Sequence, residues 1–153
     1  MSITRLVELQ DIDSQLEDLN SLLGDLPKMV EELNKKEEDL KIKIESDKAS
    51  LKEISLNTSK SETMNSEIQN KTDKLKDQLF LVTNNKQYDA LSSEIEHLQL
   101  QQKEHEDLLI SYLEEKENLE NGIKENESLL ENLKSDLDIR RSKLDQALSD
   151  TAE

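Results

Sequence analysis

Val82-Thr83-Asn84-Asn85-Lys86-Gln87-Tyr88 is the one interruption in an apolar stripe that otherwise runs at alternating three- and four-residue spacing along 153 residues. After it, the stripe passes through Tyr88, Leu91, Ile95, Leu98, Gln102, His105, Leu109, Tyr112, Lys116, Leu119, Ile123, Asn126, Leu130, Leu133, Leu137, Arg140, Leu144 and Leu148. Before it, the matching positions are Leu9, Ile12, Leu16, Leu19, Leu23, Leu26, Val30, Leu33, Leu40, Ile44, Leu51, Ile54, Ile68, Leu75, Leu79 and Val82. A repeat averaging about 3.5 residues is the coiled-coil period. Two such arms joined by one reversal hide their seams against each other. The expected fold is therefore all-α, a long antiparallel coiled-coil helical hairpin: a single domain over 1–153 with arm 3–81, turn 82–87 and arm 88–150.

The composition agrees, with 33% hydrophobic, 2% aromatic and 37% charged residues, which suits a thin seam under a large solvated surface. Two Gly and one Pro leave little material for turns or linkers. Cysteine is absent, so thiol catalysis and thiolate metal ligation by this chain are excluded. No apolar run approaches the roughly 18 residues of a membrane span, and a cytoplasmic location is the default expectation.

Net charge is −16, divided as −6 over residues 1–80 and −10 over 81–153. Such a field repels phosphate backbones, and the short basic group Arg140-Arg141-Ser142-Lys143 is too small to reverse it.

At the interruption, Asn84 stands where a helix N-cap is wanted, with Gln87 three residues on. A capping box between Asn84 and the Gln87 amide would start the second helix near Asn85. Asn tolerates the left-handed conformation of a tight reversal, and Phe80, Leu81, Val82 and Tyr88 are expected to give apolar cover at the tip. The other irregularity is Gly24-Asp25-Leu26-Pro27. The heptad phase runs through it, so a kink near Pro27 is expected, and Asp25 would cap a restarted helix if the chain broke there. Between Ser55 and Ser66 the seam becomes polar at Thr58, Ser61 and Asn65, where fraying or a bend is expected.

Pairing residue i with about 169 − i leaves arm one longer by about 16 residues carrying Leu6, Leu9, Ile12 and Leu16. That stripe seeks a partner through a homodimer, a foldback at Pro27 or a helical continuation.

Chemistry is sparse. His97 and His105 are eight residues apart, about 12 Å of helical rise, too far for one metal ion. Glu31-Glu32 and Glu114, Glu115, Glu117 and Glu120 lack a concave site and stay solvated, so no enzyme, metal site or cofactor site is expected. The candidate partner-binding residues are Asn84, Asn85, Lys86, Gln87 and Tyr88 at the turn, and Glu114, Glu115, Glu117 and Glu120 on the second arm. The spacing of Tyr88, which continues the stripe, also suits a structural role.

Three motifs carry a resemblance. Leu9-Gln10-Asp11-Ile12-Asp13 with Leu26-Pro27, the turn run Leu79, Val82, Thr83, Asn84, Lys86, Gln87, Tyr88, Ala90, Leu91, Glu94 and Ile95, and Glu106-Asp107-Leu108-Leu109 resemble bacterial coiled-coil proteins that end in a four-cysteine zinc ribbon. Asn85 and Gln87 depart from that family's Asn-Lys-Glu-Tyr order. The resemblance covers residues 6–120 and implies a non-catalytic adaptor or chaperone-like protein. Its implied partners are the alternative sigma factor sigma-54 or flagellar and type III export components. The family's Cys-x-x-Cys pairs are not in this chain, which is either truncated or a ribbon-less member. Zinc is expected only with a ribbon in a longer protein, and nucleic-acid binding through it is not carried over. The alternatives are a structural spacer or oligomerisation element, and a nucleic-acid binder acting through a missing ribbon.

Overall fold

The computed structural model describes residues 3–152, with the side chains of 19, 22, 23, 151 and 152 outside the description, so the seam positions Leu19 and Leu23 lie outside the described residues. Two helices make up the fold, α1 over Ile3–Leu81 and α2 over Asn85–Ala152. Each is amphipathic, so each buries its stripe only by pairing. The pairing is antiparallel, and it builds two compact units. One joins α1 up to Glu45 with α2 from Glu125; the other joins Ser46 to the turn and back to Lys124.

In the first unit the Arg140 guanidinium donates to the Met29 sulfur at 3.0 Å, Arg141 donates to the Asn34 side-chain oxygen, and an open groove brings Leu40 beside Leu129. In the second, a Cβ at Gly122 would stand 4.0 Å from the Asp47 carboxylate, Ile54 and Asn57 share a groove with Tyr112 and Glu115, and Gln102 Nε2 donates to Gln69 Oε1 at 2.7 Å. Most of these contacts follow a register in which residue i meets roughly 169 − i.

Burial follows the heptad. Leu26, Ile44, Ile68, Ile95, Leu98, Ile123 and Leu137 are buried, Leu137 completely at 0% exposure. Three polar side chains share the seam with them, Asp47, Ser61 and Thr72, Thr72 at 1% exposure. At the far end of α2, Ala147 is half-buried while Leu148 is exposed, so the expected seam position at Leu148 moves to Ala147. Three residues after Leu144 is the step the heptad requires there.

The polar stretch does not fray, because α1 is helical through Ser55–Ser66. Its cost lies instead in an unsatisfied atom: Asn65 Oδ1 is buried with no hydrogen-bond partner, as are His105 Nδ1 on α2 opposite this stretch and Thr72 Oγ1 further along α1. An unpaired buried polar atom forfeits its hydration without a replacement bond. α1 also passes unbroken through Pro27, so the restart capped by Asp25 does not occur. Proline there removes one hydrogen bond at a helix-interior cost of about 3 kcal/mol. Burial of Leu26 offsets part of it.

The stripe of α1 begins with Leu6, Leu9, Ile12 and Leu16. These four side chains are exposed, together with Ile3 and Val7.

On the surface, Lys41 Nζ meets Glu37 Oε1 at 2.9 Å one turn away. The hydrogen bond from Lys41 holds the Glu37 carboxyl below its ordinary value, and the same bond raises Lys41. The Glu37 contribution is therefore present above the ordinary carboxylate range and is lost as pH falls through the lowered value; the Lys41 contribution is lost only as pH rises through its raised value.

Leu137→Ala is expected to cost about 2–5 kcal/mol through the cavity it leaves. Thr72→Val should stabilise by about 1 kcal/mol, since it removes a buried hydroxyl without a partner at nearly constant volume. Gly24→Ala should stabilise by up to about 1 kcal/mol, because a Cβ there meets nothing within 4 Å. Urea unfolding followed by circular dichroism checks all three.

Candidate protein-interaction site

The turn is Val82-Thr83-Asn84, three residues where 82–87 was expected. It is short because Asn84 caps α2 directly. Asn84 Oδ1 accepts the Lys86 amide at 2.8 Å, and the Asn84 carbonyl accepts the Tyr88 amide at 3.0 Å, the first full helical bond. The expected bond from Asn84 to the Gln87 amide is thus made one residue earlier, where an N-cap oxygen serves equally well. Asn85, Lys86 and Gln87 belong to the first turn of α2 rather than to a loop, and α2 begins before residue 88. Among the described residues none has positive φ, so the reversal does not use a left-handed Asn.

Leu79 and Val82 continue the seam and are half-buried. Phe80 and Leu81 fall on the outward positions between them and stand 89% and 82% exposed, so the expected apolar cover by these two side chains is not formed. The reason is geometric: a helix in a two-helix pairing turns only about two positions in seven to its partner. Tyr88 is also exposed, although its spacing continues the stripe. Phe80 and Tyr88 are two of the chain's three aromatic residues. Beside them an open groove of about 470 Å³ is lined by Leu81, Val82, Thr83, Gln87, Ala90 and Leu91. Across 74–95, Lys74, Lys76 and Lys86 balance Asp77, Asp89 and Glu94, so this end is neutral in a chain of charge −16.

Glu114, Glu115, Glu117 and Glu120 are all exposed. They lie apart from the turn, since Glu114 follows Tyr88 by 26 residues, about 39 Å of helical rise. Glu115 lines a second open groove, of about 510 Å³, with Ser50, Glu53, Ile54, Tyr112 and Leu119. The expectation of no concave surface is corrected to this extent: open grooves run beside the seam at Glu115 and at the turn. The residues that sequence reasoning undervalued are Phe80 and Leu81. Their signal was apolar side chains at two adjacent non-seam positions.

His97 Nε2 lies 3.4 Å from the Gln101 amide nitrogen, whereas His105 is half-buried on the seam. Among the described residues no group of three or more His, Cys, Asp or Glu could hold a metal ion. Among the described residues no helix is long and apolar enough to cross a membrane.

Residues 9–153 match the family described as the CT398-like coiled coil hairpin domain. No curated protein and no solved structure matches the chain significantly.

Asn84→Ala is expected to cost about 1 kcal/mol by releasing the first amides of α2. Phe80→Ser with Leu81→Ser should leave stability within about 0.5 kcal/mol, because neither side chain is covered. Thermal melts of the two variants separate a structural cap from an exposed patch.

Proposed function

The chain belongs to the CT398-like coiled coil hairpin domain family, and we propose that it is a non-catalytic protein-interaction adaptor that offers the hairpin turn to a partner. The observation that carries this reading is the exposure of Phe80 and Leu81 on outward heptad positions beside Tyr88. Aromatic side chains dominate interface energetics because they bury a large area at low entropic cost. Here two of the three available aromatics sit at one end, Phe80 almost wholly in water and Tyr88 about half exposed. The local charge balance supports the same reading, since a neutral apolar patch docks without desolvating charges.

The similarity of the turn and N-terminal motifs to the zinc-ribbon coiled-coil proteins supplies the candidate partners, sigma-54 and flagellar or type III export components, and with them a cytoplasmic setting. Adaptor or chaperone-like action on such partners needs no catalytic group. A contact between copies through Leu6, Leu9, Ile12 and Leu16 is a further proposal, supported by their exposure.

Binding of the purified candidate partners, measured by calorimetry, tests the adaptor reading. Phe80→Ser with Leu81→Ser is expected to weaken the productive complex by at least about tenfold, the effect of losing a central anchor, while the melting curve is unchanged. Equal binding by the variant removes the turn from the interface and favours a structural spacer. Steeply salt-dependent binding to RNA or DNA would favour a nucleic-acid role instead. Sedimentation of the chain and of a Leu9→Asp, Ile12→Asp variant tests the contact between copies, which predicts a dimer that the variant loses.

A further inference from the structure

Ile110 and Leu113 occupy outward positions of the heptad, each directly after a seam residue, Leu109 and Tyr112 respectively, and they are 60% and 67% exposed. They stand one turn apart on a single face, since spacings of three and four residues bring helical side chains together. The same spacing places Glu106 four residues before Ile110, Glu114 four after it, and Glu117 four after Leu113. All three glutamates are exposed. The face is thus an apolar centre with an acidic border, the layout of an interface core and its rim.

Charge says what fits it. Residues 103–120 carry Lys103 and Lys116 against Glu104, Glu106, Asp107, Glu114, Glu115, Glu117 and Glu120, a balance of −5. The stretch of α1 level with them in the register, 49–66, holds Lys52 and Lys60 against Glu53 and Glu62 and neutralises none of it. A second copy would bring the same acids against this border. Like charges across an interface oppose docking. Seam packing does not account for Ile110 and Leu113 either, because Leu109 and Tyr112 already fill the seam positions and are half-buried.

We propose that this face of α2, centred on Ile110 and Leu113, docks a basic amphipathic helix of a partner protein. Two apolar side chains of that helix cover Ile110 and Leu113, and its Lys or Arg side chains flank them to meet Glu106, Glu114 and Glu117. The 17-residue interval from Lys103 to Glu120 spans about 26 Å of rise, room for some four to five turns of a docked helix. This surface is separate from the hairpin turn and does not depend on it.

The test uses three labelled 18-residue helical probes: a Leu/Lys amphipathic peptide, a Leu/Glu peptide of the same apolar pattern, and a Lys/Ser peptide of the same charge without leucines. Fluorescence anisotropy against the 153-residue chain is expected to show binding of the first alone. Ile110→Ser with Leu113→Ser should weaken it by about tenfold or more, as expected for the loss of a central apolar anchor. Glu106→Gln, Glu114→Gln and Glu117→Gln together should weaken it comparably and flatten its dependence on salt. Phe80→Ser with Leu81→Ser should leave it unchanged, so the result stands or falls independently of the turn. All substituted positions are exposed, and the glutamine variant reports even if the serine variant melts early. Binding of the Lys/Ser probe as tight as that of the Leu/Lys probe, or retention of affinity in the serine variant, would show diffuse attraction to an acidic surface and overturn the proposal. Binding of the Leu/Glu probe would overturn its electrostatic half.

Discussion

Every feature of this protein depends on the register of one seam. α1 and α2 are both rich in charge, and each hides its narrow apolar stripe against the other. Pairing residue i with roughly 169 − i decides which side chains become core, which become rim, and which are left in water. Leu137, on the seam, is completely buried, whereas Leu148, eleven residues further on, is exposed and Ala147 takes the seam. A shift of one residue in this register would exchange such roles along both helices, since only about two positions in seven face the partner.

The seam is not uniformly good at its task, and its weakest part has a consequence for the surface. At Thr58, Ser61, Asn65 and Thr72 polar side chains stand on the seam around the buried Ile68, and Asn65, Thr72 and His105 each bury an atom without a partner. Polar seam positions cost stability but penalise alternative registers, in which they would meet leucine. The bond between Gln69 and Gln102 at 2.7 Å is one such register-specific contact. Level with the start of this stretch, at about residues 56–59 of α1, α2 carries Ile110 and Leu113 on its outer face. Apolar area is thus withdrawn from the seam and displayed outside it along the same part of the hairpin, which suits a surface made to receive another helix.

The turn shows how local chemistry and pairing divide the work. Asn84 as an N-cap is a matter of a few atoms, and the cap was legible in the residues because Asn at that place has an oxygen to offer free amides. Which amide it bonds was not legible, since the Lys86 and Gln87 amides are both within reach of such an oxygen. Phe80 and Leu81 are apolar and near the reversal, which by itself suggests cover. Their exposure follows from their angle on α1, fixed by Leu79 and Val82 on the seam, and angle outweighs hydrophobicity when no third element is there to cover them.

By itself the sequence determined the helices, their antiparallel pairing, the register and the place of the reversal, because all four follow from the period of the apolar residues and its single interruption. Only the tertiary structure decided that Pro27 lies within an unbroken helix, that the turn needs three residues, that Thr72 and Asp47 are buried, and that the apolar tip and the Ile110–Leu113 face are open. Periodicity reports which face of a helix is apolar, but burial is a property of what stands opposite. That is known only when two backbones have been brought to a definite distance and every side chain has found, or failed to find, a neighbour.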